Sequence, residues 1–104
     1  MPNRNYQRGR AFEYRVKYYL EKLGYYVVRS YASKGLFDLV AIAPRHVSTM
    51  GFDPLLIQCK TNGYVPPAEM FELCKASTRY NGIVMIAAKD PRGHITFKEL
   101  DCSV

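Results

Sequence analysis

Apolar residues recur along the chain with two different spacings, which predict where helices and strands form. Over residues 6–23 the apolar side chains lie three or four positions apart, as on one buried stripe of a helix, and Gly24 gives that helix a stop signal. Residues 25–30, 37–43 and 55–60 are short segments rich in strand-forming residues. The first part of the chain is therefore predicted to form one helix followed by three strands.

The second part of the chain predicts one more helix and two more strands. The helix is predicted to begin at the Pro-Pro pair at 66–67 and to end at the Asn-Gly pair at 81–82. The apolar run 83–88 and the segment 94–100 are predicted strands joined by a turn at 90–93. The order αβββαββ predicts an α/β fold with a mixed central β-sheet flanked by helices.

Size and cysteine content restrict the class of protein. A chain of 104 residues that is 48% hydrophobic can bury one core, so a single domain over residues 1–104 is expected. No apolar run is long enough to cross a bilayer, which predicts a soluble protein with no membrane association. The odd number of cysteines, Cys59, Cys74 and Cys102, without metal-ligand spacing, argues against a disulfide framework and a zinc site and favours a cytoplasmic location.

Positive charge is concentrated in the first third of the chain. The formal net charge is +6, and residues 35–104 contain equal numbers of basic and acidic side chains. A polyanion such as DNA would be attracted to the basic segment, although a basic face that only maintains solubility is an alternative. The basic residues of the first third are Arg4, Arg8, Arg10, Arg15, Lys17, Lys22, Arg29 and Lys34.

Polar residues in the two central predicted strands indicate a site at one end of the sheet. Strands 37–43 and 55–60 are joined by about ten residues, too few for a helical crossover, so they should pair antiparallel. A register in which paired positions sum to 98 sets Asp38 opposite Lys60 and puts both on one face with Gln58. A slip of one residue would move Asp38 to the other face.

These three side chains have a chemistry in common. A buried carboxylate beside an amide oxygen and a lysine forms a divalent-cation site next to a charge that stabilises an anion. The alternative is a structural Asp38–Lys60 salt bridge, with Gln58 hydrogen-bonded to neighbouring backbone.

The first helix contributes one further candidate carboxylate. Glu13 lies at the edge of the buried stripe, where a solvated glutamate is the ordinary alternative. Gly9, one turn earlier, would let the helix approach the sheet or a phosphate closely.

Together Gly9-x-x-x-Glu13, Ser33 with Asp38, and Gln58-x-Lys60 resemble the PD-(D/E)XK nuclease superfamily. Within it the chain resembles the archaeal Holliday junction resolvases and their viral relatives, over about residues 8–88. The resemblance implies a restriction-endonuclease-like core. The chain departs from the family pattern at Phe37, where proline is usual, and at Gln58, where glutamate is usual.

The resemblance also implies residue roles. Glu13 and Asp38 would bind the cation, Gln58 and the Cys59 carbonyl would complete the ligands, and Lys60 would orient the attacking water and stabilise the phosphate. Ser33 would be the family's serine before the aspartate, so the implied catalytic set is Glu13, Ser33, Asp38, Gln58 and Lys60. The implied DNA-binding residues are Arg4, Arg8, Gly9, Arg10, Lys17, Arg29, Ser33, Lys34 and Lys60.

The implied activity is Mg²⁺-dependent hydrolysis of four-way DNA junctions by a homodimer, with Mn²⁺ able to replace Mg²⁺ and no small-molecule cofactor. Two alternatives stay open. The catalytic pattern also fits another nuclease of the superfamily, such as a nickase, repair or restriction-type enzyme. The loss of charge at Gln58 also fits a non-catalytic DNA-binding module that has lost full metal binding.

Overall fold

The computed structural model describes residues 4–30, 36–44 and 53–102, and only the backbone of residues 4–8. Its elements follow the predicted order αβββαββ, which confirms the predicted fold class. Gly24, with φ +97°, follows the end of the first helix as predicted. The elements are α1 Arg4–Lys22, β1 Tyr26–Arg29, β2 Leu39–Ile42, β3 Leu55–Cys59, α2 Pro67–Arg79, β4 Ile83–Lys89 and β5 Ile95–Glu99.

The five strands form one mixed sheet in the order β1-β2-β3-β4-β5. Strands β3 and β4 are parallel and are connected through α2, whereas the other neighbouring pairs are antiparallel. No helix in the described part of the chain is long and apolar enough to cross a membrane.

The sheet separates two apolar clusters. Side chains alternate along each strand, so odd-numbered strand residues face α1 and even-numbered ones face α2. The α1 cluster is formed by Phe12, Val16, Leu20, Val27, Leu39, Ala41, Ile57 and Ala87. The α2 cluster is formed by Leu56, Leu73, Val84 and Ile86.

The predicted register between the central strands is wrong by two residues. The structure pairs Leu39 with Ile57 and Ala41 with Leu55, so paired positions sum to 96. A connection of about ten residues does not fix the register by its turn geometry, so side-chain packing on the two faces of the sheet determines it. The apolar pattern of these strands does not distinguish registers that differ by two residues. Because side chains alternate with a period of two, the shift preserves the face on which each strand residue lies.

The cysteine prediction is also wrong. Cys74 of α2 and Cys102, separated by 28 positions in sequence, form a disulfide with their Cα atoms 5.5 Å apart. Leu100 packs against the α2 cluster, and this brings the chain after β5 back to α2. Cys59 is the free cysteine. An odd count of cysteines therefore did not exclude one disulfide and one free thiol.

Of the two alternatives for Gly9, a close approach of α1 to the sheet is not found among the described residues. A Cβ atom added at Gly9 would meet no described atom within 4 Å. The buried stripe contacts the sheet through Phe12 and later residues instead. A role for Gly9 beside a DNA phosphate stays a prediction.

Candidate active site

Asp38 lies at the end of the sheet where β1 and β3 finish and β2 begins. Its backbone N–H donates to the Ile57 carbonyl at 2.9 Å, and its carbonyl accepts from the Ser30 N–H at 2.8 Å. The Cys59 N–H donates to Oδ2 of Asp38 at 2.8 Å. Asp38 is only 8% exposed, so backbone contacts from both neighbouring strands hold a nearly buried carboxylate at this edge.

Gln58 and Lys60 lie on the α2 face, where both contact Glu69. Nζ of Lys60 is 2.9 Å from Oε2 of Glu69, and Nε2 of Gln58 donates to Oε1 of the same carboxylate. The part of the prediction that places Gln58 and Lys60 on one face is thus confirmed, and the position of Asp38 on that same face stays a prediction. The alternative, an Asp38–Lys60 salt bridge, is not found among the described residues. Lys60 forms its ion pair with Glu69 instead.

A tight turn brings Glu69 to this position. Gly63, with φ +75°, donates its N–H to the Lys60 carbonyl at 2.8 Å and reverses the chain directly after β3. Helix α2 then begins with proline at its first position, and Glu69 lies in its first turn. The first turn of α2 therefore lies over the end of β3.

Glu13 approaches the same end of the sheet from the α1 side. Nε of Arg29, the last residue of β1, donates to Oε1 of Glu13 at 3.0 Å. The Arg29 guanidinium also lies over the Tyr14 ring, 4.7 Å from its centroid. The prediction that Glu13 lies at the edge of the buried stripe is confirmed by its 9% exposure.

Electrostatic effects connect the two carboxylates. Burial raises the pKa of Glu13, and repulsion by Asp38 raises it further against the opposing effect of Arg29. Burial also raises the pKa of Asp38, while the Cys59 N–H and Lys60 lower it and Glu69 raises it. Asp38 thus lies within electrostatic range of groups on both faces, in a site whose buried negative charge favours a cation.

The Cys59 side chain serves the core. Burial, followed by the charges of Asp38 and Glu13, raises the pKa of the Cys59 thiol well above its ordinary value. The neutral thiol packs against the α1 cluster. The Cys59 side chain thus contributes to the core, and the resemblance implies a metal-binding role for its backbone carbonyl.

One buried polar atom supports the fit of a cation. Oε1 of Gln58 is buried and has no hydrogen-bond partner among the described residues. The described residues contain no group of three His, Cys, Asp or Glu side chains spaced to hold a metal, so a ligand set here has to include amide or backbone oxygens. The Gln58 amide oxygen fits that requirement.

The predicted DNA-binding residues are only partly described. Lys17 forms an ion pair with Glu21 at 2.9 Å, and Arg10 lies over Tyr14, 5.6 Å from the ring centroid. Arg29 is committed to Glu13, with its side chain 13% exposed. The side chains of Arg4 and Arg8, together with Ser33 and Lys34, lie outside the described residues.

Glu69 is the site residue that the sequence analysis missed. An acidic residue in the first turn of a helix is common because it interacts favourably with the helix dipole, so Glu69 gave no distinct signal by itself. Two features together could have indicated Glu69. The chain lacks the usual strand glutamate at Gln58, and Glu69 is an acidic residue shortly after the turn that follows Lys60.

An αβββαββ sandwich with Asp38, Gln58 and Lys60 at one end of its sheet and a buried glutamate on its first helix defines a restriction-endonuclease-like nuclease of the PD-(D/E)XK class. The family profile described as archaeal Holliday junction resolvase (Hjc) matches residues 4–102. The chain belongs to the archaeal Holliday junction resolvase family.

A solved structure shares this fold. The structure of Archaeoglobus fulgidus Hjc, a Holliday junction resolvase from an archaeal hyperthermophile, matches with a TM-score of 0.68 and 24% identity. The match covers 89% of this chain and 73% of that one, and it shows a shared fold. No curated protein sequence gives a significant match. The family consists of junction-resolving DNA endonucleases, which bind branched DNA and require a divalent metal.

Proposed function

We propose that this chain is a Mg²⁺-dependent resolvase of four-way DNA junctions whose active site is the sheet end around Asp38. The observation that carries the proposal is the convergence of Glu13, Asp38, Gln58 and Lys60 from α1, the start of β2 and the end of β3. Glu13, Asp38, the Gln58 amide oxygen and the Cys59 carbonyl would hold the ion, and Mn²⁺ would substitute for it because it accepts the same oxygen ligands.

The chemistry assigned to each side chain follows from its contacts. The Cys59 N–H fixes one oxygen of Asp38 and directs the carboxylate. Held by these oxygens, a divalent ion would lower the pKa of water for attack near neutral pH and would neutralise charge on the phosphate. The Lys60 ammonium stabilises the negative charge that develops on the phosphate oxygens as water adds to phosphorus and the bond to the leaving oxygen breaks. Ser33 would contact the DNA or the phosphate beside this site.

The proposal includes a homodimer of single-domain chains acting in the cytoplasm. Resolution requires one cut in each of two strands, and one chain offers one such site, so two copies related by a two-fold axis supply the pair.

The test compares a synthetic four-way junction with a linear duplex, a flap and a single strand of the same sequence. We expect Mg²⁺ to support paired, symmetric nicks in the junction at a rate at least about tenfold above the other substrates, and EDTA to abolish them. Equal cleavage of all substrates would indicate another nuclease activity. Junction binding without cleavage in Mg²⁺ or Mn²⁺ would indicate the DNA-binding module.

A further inference from the structure

We infer that Glu69 is a positioning residue that provides, from α2, the carboxylate that the family pattern places at the position of Gln58. The inference rests on the proposed function, because it assigns a role within that active site. In the family pattern the glutamate and the lysine of Glu-x-Lys lie on one strand. In this chain the carboxylate lies on a helix instead. Gln58 and Lys60 keep the strand positions, and the negative charge lies on the first turn of α2.

The two oxygens of Glu69 contact separately Gln58 of β3 and Lys60, which directly follows β3. Oε1 accepts from Nε2 of Gln58, and Oε2 lies 2.9 Å from Nζ of Lys60. The Glu69 and Lys60 side chains are each 25% exposed, which limits solvent screening of their pairing. These contacts form one hydrogen-bonded unit of amide, carboxylate and ammonium.

The contact with Glu69 also determines which way the Gln58 amide points. An ionised carboxylate accepts hydrogen bonds and donates none, so the amide must turn its NH₂ group toward Glu69. Its oxygen is thereby directed away from Glu69 and is left buried without a partner among the described residues. An orphaned buried oxygen is costly unless it gains a ligand, and a hard cation is the ligand that such an oxygen favours.

The charge balance of the site supports the same assignment. With Glu69 included, the site contains three carboxylates, the Lys60 ammonium and the Arg29 guanidinium, so Glu69 supplies the one negative charge that Gln58 lacks relative to the family's strand glutamate. By contrast, Glu72 on the same helix pairs with Lys75 at 3.6 Å with both side chains more than half exposed.

Metal binding by the whole chain without DNA tests the inference independently of cleavage. Isothermal titration with Mn²⁺ should show Glu69→Gln to bind at least about tenfold more weakly than wild type, which is the usual effect of removing a group that orients a ligand. The matched control Glu72→Gln should bind as wild type does. The double variant Gln58→Glu/Glu69→Gln, which returns the carboxylate to the strand, should recover affinity to within about threefold.

A purely structural role for Glu69 predicts a different outcome. If Glu69 only stabilises the start of α2, Glu69→Gln would lower Tm without changing Mn²⁺ affinity, and this result would overturn the inference. Failure of the double variant to recover affinity while folded by circular dichroism would overturn it as well, whether or not Glu69→Gln itself folds. If wild type itself binds no Mn²⁺, the proposed active site fails, and the inference fails with it.

Discussion

Arg29 donates its Nε–H to Oε1 of Glu13 at 3.0 Å, and both side chains are nearly buried. The family resemblance implied a DNA-binding role for Arg29. In the structure Arg29 instead contacts Glu13 inside the candidate active site. Burial and the Asp38 charge raise the pKa of Glu13, and the Arg29 charge opposes this effect. The guanidinium is thus a structural counter-charge for a proposed metal ligand.

We expect Arg29→Ala to lower the free energy of unfolding of the metal-free protein by about 3 kcal/mol, because it leaves the Glu13 charge buried and unpaired. Denaturant unfolding of wild type, Arg29→Ala, Glu13→Ala and the double variant measures the coupling. The double variant should lose less than the sum of the two single losses. Additive losses would mean that the ion pair is not formed in solution.

Much of the fold could be predicted from the sequence because its signals are local. The helical stripe placed Glu13 at the edge of the core, and the alternation along β3 placed Gln58 and Lys60 on one face. The register between β2 and β3 could not be predicted, since a long connection imposes no turn geometry and both strands are apolar on both faces.

The missed contacts depend on tertiary packing. Glu69 reaches Lys60 only because the turn at Gly63 folds α2 back over β3. Cys102 reaches Cys74 only because the chain after β5 returns to α2. The spacing of apolar and polar residues in the sequence predicts neither of these two contacts.

Removal of the disulfide should destabilise the protein measurably. Closing a loop of 28 positions restricts the unfolded chain, so Cys102→Ser should lower the free energy of unfolding by about 3 kcal/mol under oxidising conditions. Denaturant titration with and without reductant checks this. Wild type in reductant should match the variant. A variant as stable as oxidised wild type would show that the bond does not form.

The raised pKa of Asp38 predicts a pH-dependent difference in stability. A carboxyl whose pKa is raised on folding favours the folded state below its ordinary pKa, and this contribution is lost as the pH rises through the folded-state value. Asp38→Asn, which cannot ionise, should therefore raise Tm of the metal-free protein at pH 7. This difference should shrink as the pH falls toward 3.8, the ordinary pKa. A variant less stable than wild type at pH 7 would contradict the argument.

The basic first third of the chain predicts strong salt dependence of DNA binding. Arg8→Gln with Arg10→Gln should flatten the slope of log affinity against log salt by up to about 0.9 for each lost phosphate contact. Junction binding titrations at several salt concentrations measure the slope. Lys75→Gln with Arg79→Gln on α2 is the charge-matched control and should leave the slope unchanged. An unchanged slope for Arg8→Gln with Arg10→Gln would place the DNA surface elsewhere.

The single-turnover rate of junction cleavage by Lys60→Ala, at saturating protein, tests the central claim most directly. Lys89→Ala is the matched control, because Lys89 is a lysine at the same end of the neighbouring parallel strand. If the sheet end is the active site, Lys60→Ala should cleave at least about a hundredfold more slowly than wild type while still binding the junction, and Lys89→Ala should cleave at the wild-type rate. Cleavage by Lys60→Ala at the wild-type rate would contradict the assignment of the active site.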